Sequence, residues 1–137
     1  MSAKRRSLFI SHSWSYGDTY VRLCELLDQT PRFTYSNYSV PRDNPVHDAP
    51  TKTELRSAIK SKIAPCQIVL IMAGKYATYS EWIHKEIEIA KRDFTKPVLA
   101  IAPWGAHQTS KLVKDNADLV VRWNTTSIVG GIRELVP

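Results

Sequence analysis

The segment Gln67-Ile68-Val69-Leu70-Ile71-Met72-Ala73 decides the fold class, because it is almost entirely apolar and rich in β-branched side chains. A strand with one face in water would alternate apolar and polar residues. A continuous apolar run is instead typical of a strand at the centre of a parallel sheet, where helices cover both faces. The segment therefore predicts a central, doubly covered strand.

Helical patterns stand on both sides of this strand. A capping-box pattern at Thr51 and Glu54 opens a helix that runs to Pro65, and a second at Thr78 and Glu81 opens a helix that ends before Pro97. Apolar residues recur at the spacing of one helical face in both: Leu55, Ala58, Ile59 and Ile63 in the first, and Ile83, Ile87, Ala90 and Phe94 in the second. The central strand is thus predicted to lie between two helices.

The rest of the chain repeats this alternation. Further strands are predicted at residues 7–11, 33–38, 98–102 and 119–123. A first helix is predicted to begin within residues 15–18, and a last helix, weakened by Gly130 and Gly131, at residues 126–135. Strands separated by helices imply parallel pairing with right-handed crossovers. We expect one α/β domain over residues 1–137, with a five-stranded, mostly parallel, flavodoxin-like sheet and helices on both faces.

Composition and charge narrow the classes of partner. With 137 residues, 43% of them hydrophobic, the chain can fill a single core. It has no apolar run long enough to span a bilayer and no secretory signal, so we expect a cytoplasmic protein with no membrane partner. The net charge of +6 favours anionic partners, but part of it is a basic cluster, residues 4–6, typical of a solvated lead-in to a strand. No nucleic-acid-binding motif accompanies that cluster, which makes nucleic acid an unlikely partner.

Ligands of open parallel sheets bind outside the carboxyl ends of the strands, which selects residues 11–14, 37–42, 74–86 and 103–105 as the candidate surface. The chain has no Gly-rich phosphate loop, no nucleophile elbow and no zinc-ligand spacing. His47 with Asp43 and Asp48 on a proline-rich loop is a weak metal pattern, and we expect no metal site. Cys24 and Cys66 are expected to be reduced, apolar residues.

Trp82 and Glu86 are the most informative polar residues of the third helix. They are four residues apart, so they share a stripe beside the apolar face of Ile83 and Ile87. The pair is predicted to border the core without being inside it. An indole beside a carboxylate could stack a planar ring and place a negative charge next to it. Spacing alone favours the more ordinary outcome, a half-buried Trp at the edge of the core and a Glu paired with a neighbouring Lys or Arg.

Four segments together resemble a known family, the Toll/interleukin-receptor (TIR) domain. In chain order they are Leu8-Phe9-Ile10-Ser11-His12, the loop Pro41-Arg42-Asp43-Asn44-Pro45, the central strand, and Trp82-Ile83-His84-Lys85-Glu86-Ile87. The loop lacks the Gly that often follows this motif, and the later Phe-Trp pair of receptor-type members is missing. Compact chains of this kind resemble more closely the stand-alone bacterial TIR-like proteins of anti-phage defence, such as those of Thoeris systems.

The resemblance implies an NAD-cleaving enzyme, either an NAD glycohydrolase or an ADP-ribosyl cyclase, with NAD as substrate and no separate cofactor. NAD-cleaving members carry Trp-x-x-x-Glu with a catalytic Glu, which by position is Glu86, with Trp82 as its partner. Nicotinamide leaves as a neutral molecule, so a single carboxylate suffices to stabilise the ribosyl centre. Further substrate-binding residues expected from their positions at strand ends are Ser11, Trp14, Asn37 and Tyr38.

Two other functions stay open at this stage. A non-enzymatic TIR adaptor would use the proline-rich loop to bind other copies or a partner, and Glu86 would only make a surface salt bridge. A nucleotide sensor would bind NAD without turnover. If the chain is an enzyme, we expect its product to be a nucleotide signal for a separate effector protein, and self-assembly to switch it on.

Overall fold

The computed structural model describes residues 5–11, 19–38, 52–72, 81–102 and 111–137. Five strands form one sheet in the order β2-β1-β3-β4-β5. Every pairing between neighbours is parallel. The strands are β1 (Arg5–Ile10), β2 (Thr34–Asn37), β3 (Ile68–Met72), β4 (Val98–Ala102) and β5 (Leu119–Arg122). The predicted α/β class is confirmed, and the apolar run that predicted it forms the central strand β3.

The helices are α1 (Thr19–Asp28), α2 (Lys52–Ile63), α3 (Glu81–Glu88), α4 (Lys111–Asn116) and α5 (Thr125–Leu135). Helix α4 was not predicted from the sequence. It has six residues, which is too short for an apolar repeat to show a helical period. The proline-rich loop of residues 41–50 and the predicted cap residues Thr51 and Thr78 lie outside the described residues.

Successive side chains of the central strands point to opposite faces of the sheet. Phe9, Val69 and Ile71 pack against α2, α3 and α4, on what we call the α3 face. Leu8, Ile10 and Leu70 pack against α1 and α5, on what we call the α1 face. Two fully buried apolar layers therefore surround the sheet, as the uninterrupted apolar strands require.

The helix that begins with α3 does not continue as an α-helix. Residues Ile89–Asp93 wind as a π-helix, which we call the π segment, and Phe94 N–H donates to the carbonyl of Ile89, five residues earlier, at 3.2 Å. Ile89 and Ala90 are buried in the α3-face core. The segment predicted as one helix with a single apolar face is therefore α3 followed by one wider turn before β4.

The basic cluster before the first apolar strand was expected to be a solvated lead-in, and the structure corrects this. Arg5 and Arg6 belong to β1, because they pair with Thr34 and Tyr35 of β2. Arg6 is 8% exposed, and its Nε donates to the Val136 carbonyl at 2.6 Å, so this end of the basic cluster is not a solvated lead-in.

Gly131 does not act simply as a weak point of α5. A Cβ at this position would lie 3.0 Å from Leu99 Cδ1 and 3.3 Å from Leu119 Cδ2, so the absence of a side chain lets α5 approach the sheet closely.

Candidate functional site

Ser11 follows β1 directly and is held at the carboxyl end of the strand. Its backbone N–H donates to the Leu70 carbonyl of β3 at 2.9 Å. It continues the alternation of β1 after Phe9, so its side chain is directed to the α3 face. The chain leaves β1 towards β2 on one side and β3 towards β4 on the other, which makes this gap the switch point of the sheet.

Glu86 meets Ser11 at this switch point. The Ser11 hydroxyl donates to Glu86 Oε2 at 2.5 Å, and both residues are buried, at 1% and 0% exposed. The two residues are 75 positions apart in the chain, and α3 brings them together. Two of the residues predicted as a site from strand ends and helix spacing are therefore in direct contact.

The burial of Glu86 corrects the expectation that it borders the core without being inside it. Ile83 and Glu86 are three residues apart and share a face of α3, which packs against the end of the sheet. Helix spacing placed Glu86 beside the apolar face, and the position of Ser11 beyond the last apolar residue of β1 provides it with a buried polar contact. The non-enzymatic adaptor was expected to have Glu86 in a salt bridge at the surface, whereas the side chain of Glu86 is fully buried.

The electrostatic consequence is a carboxyl group kept away from water. Removing a charge from water is costly, and hydrogen bonds to the charged form are what offset that cost. The short bond from Ser11 fixes the position of Oε2. A negative charge in such a setting acts on a neighbouring positive charge more strongly than it would in water. The arrangement can therefore stabilise a cationic centre brought next to it.

Glu88 provides a contrast on the same helix. Its side chain is 44% exposed, and its Oε1 lies 3.0 Å from Arg56 Nη1 of α2. The same guanidinium reaches Asp93 Oδ2 through Nη2 at 2.6 Å. These ion pairs join α2 to α3 and the π segment, and sequence reasoning missed them because they depend on packing between helices.

The other expected binding residues are only partly described. Asn37 ends β2, and its Nδ2 lies 3.8 Å from Cys24 Sγ of α1, so its side chain is on the α1 face, opposite Glu86. Tyr38 follows β2 and is 36% exposed, with its N–H bonded to the Leu8 carbonyl. Trp82 is part of α3, but its side chain, like the whole of Trp14, lies outside the described residues.

A groove of about 260 Å³ between α3, the π segment and the end of α4 was not expected from the sequence; it is lined by His84, Ile87, Glu88, Lys91, Arg92 and Asn116. Neither Ser11 nor Glu86 lines it. Two of its charges are already engaged, since Lys91 binds Asp118 and Glu88 binds Arg56. The groove is therefore separate from the buried pair and is not assigned a ligand.

Neither cysteine suggests a reactive site. Neither forms a disulfide bond, and burial raises the pKa of the Cys66 thiol to about 12, against a smaller lowering by Lys96. Among the described residues, no group of three or more His, Cys, Asp or Glu could hold a metal ion; His47, Asp43 and Asp48 lie outside them. In the same part of the chain, no helix has the length and apolar character needed to cross a bilayer.

Comparison with known proteins identifies one related family. Residues 9–108 match the family model described as Thoeris protein ThsB, TIR-like domain, which covers well over half of the chain. The match begins within β1 and contains both Ser11 and Glu86. No curated protein matches the chain.

Proposed function

This chain belongs to the family of TIR-like domains of the Thoeris anti-phage defence protein ThsB, and we propose that it cleaves NAD with Glu86 as the catalytic residue. One observation carries the proposal. A carboxylate without solvent exposure is held by a serine hydroxyl at the switch point of a parallel sheet, where such folds bind their ligands.

The proposed reaction breaks the bond between the nicotinamide nitrogen and ribose C1′. Nicotinamide departs as a neutral molecule with the bonding electron pair, which leaves positive charge on the ribosyl centre. Glu86 stabilises that charge, and no general acid is needed because the leaving group is already cationic. Attack by water gives ADP-ribose and a proton, whereas attack by a nucleophile of the same molecule gives a cyclic nucleotide.

Ser11 is proposed to orient the carboxylate of Glu86 through its hydrogen bond to Oε2. Trp82 would pack against the sugar or an aromatic ring, and Trp14, Asn37 and Tyr38 would hold the rest of the dinucleotide. The net charge of +6 suits a substrate that carries a pyrophosphate. The product would be a signal for a separate effector, and self-assembly would activate the enzyme.

Nicotinamide release from NAD by the purified chain tests the proposal. The variants are Glu86→Gln and, as a matched control, Glu25→Gln, which removes an exposed carboxylate from α1 on the other face of the sheet. Loss of an electrostatic contact made in the transition state costs about 100- to 1,000-fold in rate, and we expect a decrease of this order for Glu86→Gln. Glu25→Gln should stay within about threefold of wild type, because exposed charges have weak effects.

The assay is run over a wide range of protein concentrations, so that an enzyme activated by self-assembly is not missed. Mass spectrometry of the product distinguishes ADP-ribose from a cyclic nucleotide. If a folded Glu86→Gln variant keeps full activity, Glu86 is not the catalytic residue. Binding of NAD without nicotinamide release at any concentration supports a sensor, and neither binding nor release supports an adaptor.

A further inference from the structure

Arg56 of α2 joins the last residue of α3 to the last residue of the π segment. Its Nη1 lies 3.0 Å from Glu88 Oε1, and its Nη2 lies 2.6 Å from Asp93 Oδ2. Both contacts are hydrogen-bonded ion pairs from one planar guanidinium. We call this arrangement of one guanidinium and two carboxylates the Arg56 fork. The side chain of Arg56 is 33% exposed, so the fork lies at the surface between α2 and the helix that carries Glu86.

The π winding explains how one guanidinium reaches both carboxylates. Glu88 and Asp93 are five residues apart, and in an α-helix of 3.6 residues per turn they would point about 140° apart. The wider i→i+5 turn brings residues five apart to nearly the same side. The fork therefore fits the π winding and would lose one of its carboxylates if the segment rewound as an α-helix.

Downstream of the π segment, the chain has little freedom to shift. Lys96 N–H donates to the Ala90 carbonyl at 2.7 Å. The Lys96 ammonium donates at 2.8 Å to the carbonyl of Ile63, the last residue of α2, and at 2.5 Å to that of Cys66, three residues later. Val98 then begins β4, which is paired with β3 over residues 98–101. If the winding of residues 89–93 changed, the chain before the π segment, which is α3, would therefore have to move.

Such a change would move Glu86. Each residue of an α-helix contributes about 100° of rotation and 1.5 Å of rise, so a shift of one residue would carry the carboxylate away from Ser11. We propose that Arg56 is a positioning residue. By holding Glu88 and Asp93 on one side of the π segment, it keeps α3 at the rotation in which Glu86 contacts Ser11. Its kinetic consequence rests on the proposed function.

The kinetic test compares Arg56→Ala with Arg56→Lys and Lys60→Ala. Lys60 is the matched control, because it lies one turn further along α2 and its Nζ is 3.8 Å from the same Asp93 carboxylate. Misplacement of a catalytic group by about 1 Å can cost on the order of 100-fold, so we expect kcat for nicotinamide release to fall about 10- to 100-fold in Arg56→Ala. KM should stay within about threefold, since no substrate contact is removed.

Arg56→Lys should fall between wild type and Arg56→Ala, because an ammonium can neutralise one carboxylate but cannot bridge two in the fork geometry. Lys60→Ala should stay within about threefold of wild type. The proposal is overturned if Arg56→Ala keeps its kcat, if only KM changes, or if Lys60→Ala causes the same loss.

A second test does not need enzymatic activity. Ser11→Ala, Arg56→Ala and the double variant are compared by the urea midpoint of unfolding. If Arg56 holds Glu86 against Ser11, the decrease in midpoint caused by Ser11→Ala is smaller in the Arg56→Ala background than in wild type. The corresponding cycle of Ser11 with Lys60 should be additive.

The two tests can fail independently. Coupling between Ser11 and Arg56 in a protein that releases no nicotinamide would retain the positioning role and reject NAD cleavage. Additive effects in an active enzyme would retain NAD cleavage and reject the positioning role.

Discussion

Two polar pairs of nearly equal length lie along the helical segment from α3 to the π segment, and they are in opposite environments. The Ser11 hydroxyl and Glu86 Oε2 are 2.5 Å apart and buried. Lys91 Nζ and Asp118 Oδ2 are 2.6 Å apart, with side chains 33% and 34% exposed. The first pair contains one potential charge and the second contains two, yet burial makes the first the stronger constraint. The distance between donor and acceptor alone therefore does not show which polar contact constrains the structure more strongly.

The physical reason is what each polar group contacts after its pair has opened. When an exposed ion pair opens, water replaces the lost contact, so most of its energy is recovered. When a buried carboxyl loses a donor, no water is available to replace it, and the desolvation cost remains. The same reasoning separates a site that can act on a substrate from an ion pair that only joins two elements.

Among the predictions that compare these two pairs, the largest effect is expected from moving the Glu86 carboxylate while keeping its charge. Glu86→Asp shortens the side chain by one methylene and withdraws the carboxylate from Ser11, so nicotinamide release should fall on the order of 100-fold. The matched change in the exposed pair, Asp118→Glu, should leave the rate within about threefold. Full activity in Glu86→Asp would mean that the buried position of the charge is unimportant.

An intermediate effect is expected on stability. Ser11→Ala removes a buried donor and should lower the free energy of unfolding by about 1–3 kcal/mol. Lys91→Ala removes one partner of the exposed pair and should cost about 0.2–1 kcal/mol. Urea unfolding of the two variants measures both values. A larger loss in Lys91→Ala than in Ser11→Ala would reverse the ranking of the two pairs.

The smallest effect concerns the pH dependence of the exposed pair. Burial by itself raises the pKa of Asp118, but hydrogen bonds from Lys91 and from the Val98 N–H outweigh it and lower the pKa below its ordinary value. A carboxyl whose pKa is lower in the folded state adds stability above its unfolded pKa and loses it as the pH falls through the folded pKa.

Wild type should therefore lose stability below about pH 4 in part through Asp118. Asp118→Asn should lose up to about 1 kcal/mol less between pH 7 and pH 3, a small amount because the side chain is partly solvated. Unfolding free energies at the two pH values provide the measurement. If the free energy of unfolding falls equally in both proteins between pH 7 and pH 3, Asp118 does not contribute to the loss of stability in acid.

Most of the fold could be predicted because the relevant signals are local. The strand at residues 98–102 has the predicted bounds, and β3 lies within the apolar run that predicted it. Helix α4 and the π segment were missed. The first is too short to show periodicity, and the second depends on how α3 must turn to meet β4.

The candidate site was only partly predictable. Helix spacing and strand ends selected Glu86 and Ser11 separately, from residues 75 positions apart. Spacing placed Glu86 beside the core, whereas the structure buries it completely. Asn37 was selected by the same strand-end rule, but its side chain is on the α1 face, because its register with Leu8 directs it there.

Residue order was sufficient for the layers and the parallel strands, because apolar periodicity depends on neighbours within a few turns. The choice of Glu86 as the catalytic residue came from the resemblance of residues 82–87 to a TIR motif. The depth at which Glu86 is held, its contact with Ser11 and the Arg56 fork were decided by tertiary packing. Burial and electrostatic interactions depend on which groups meet in space, and these groups come from elements far apart in the chain.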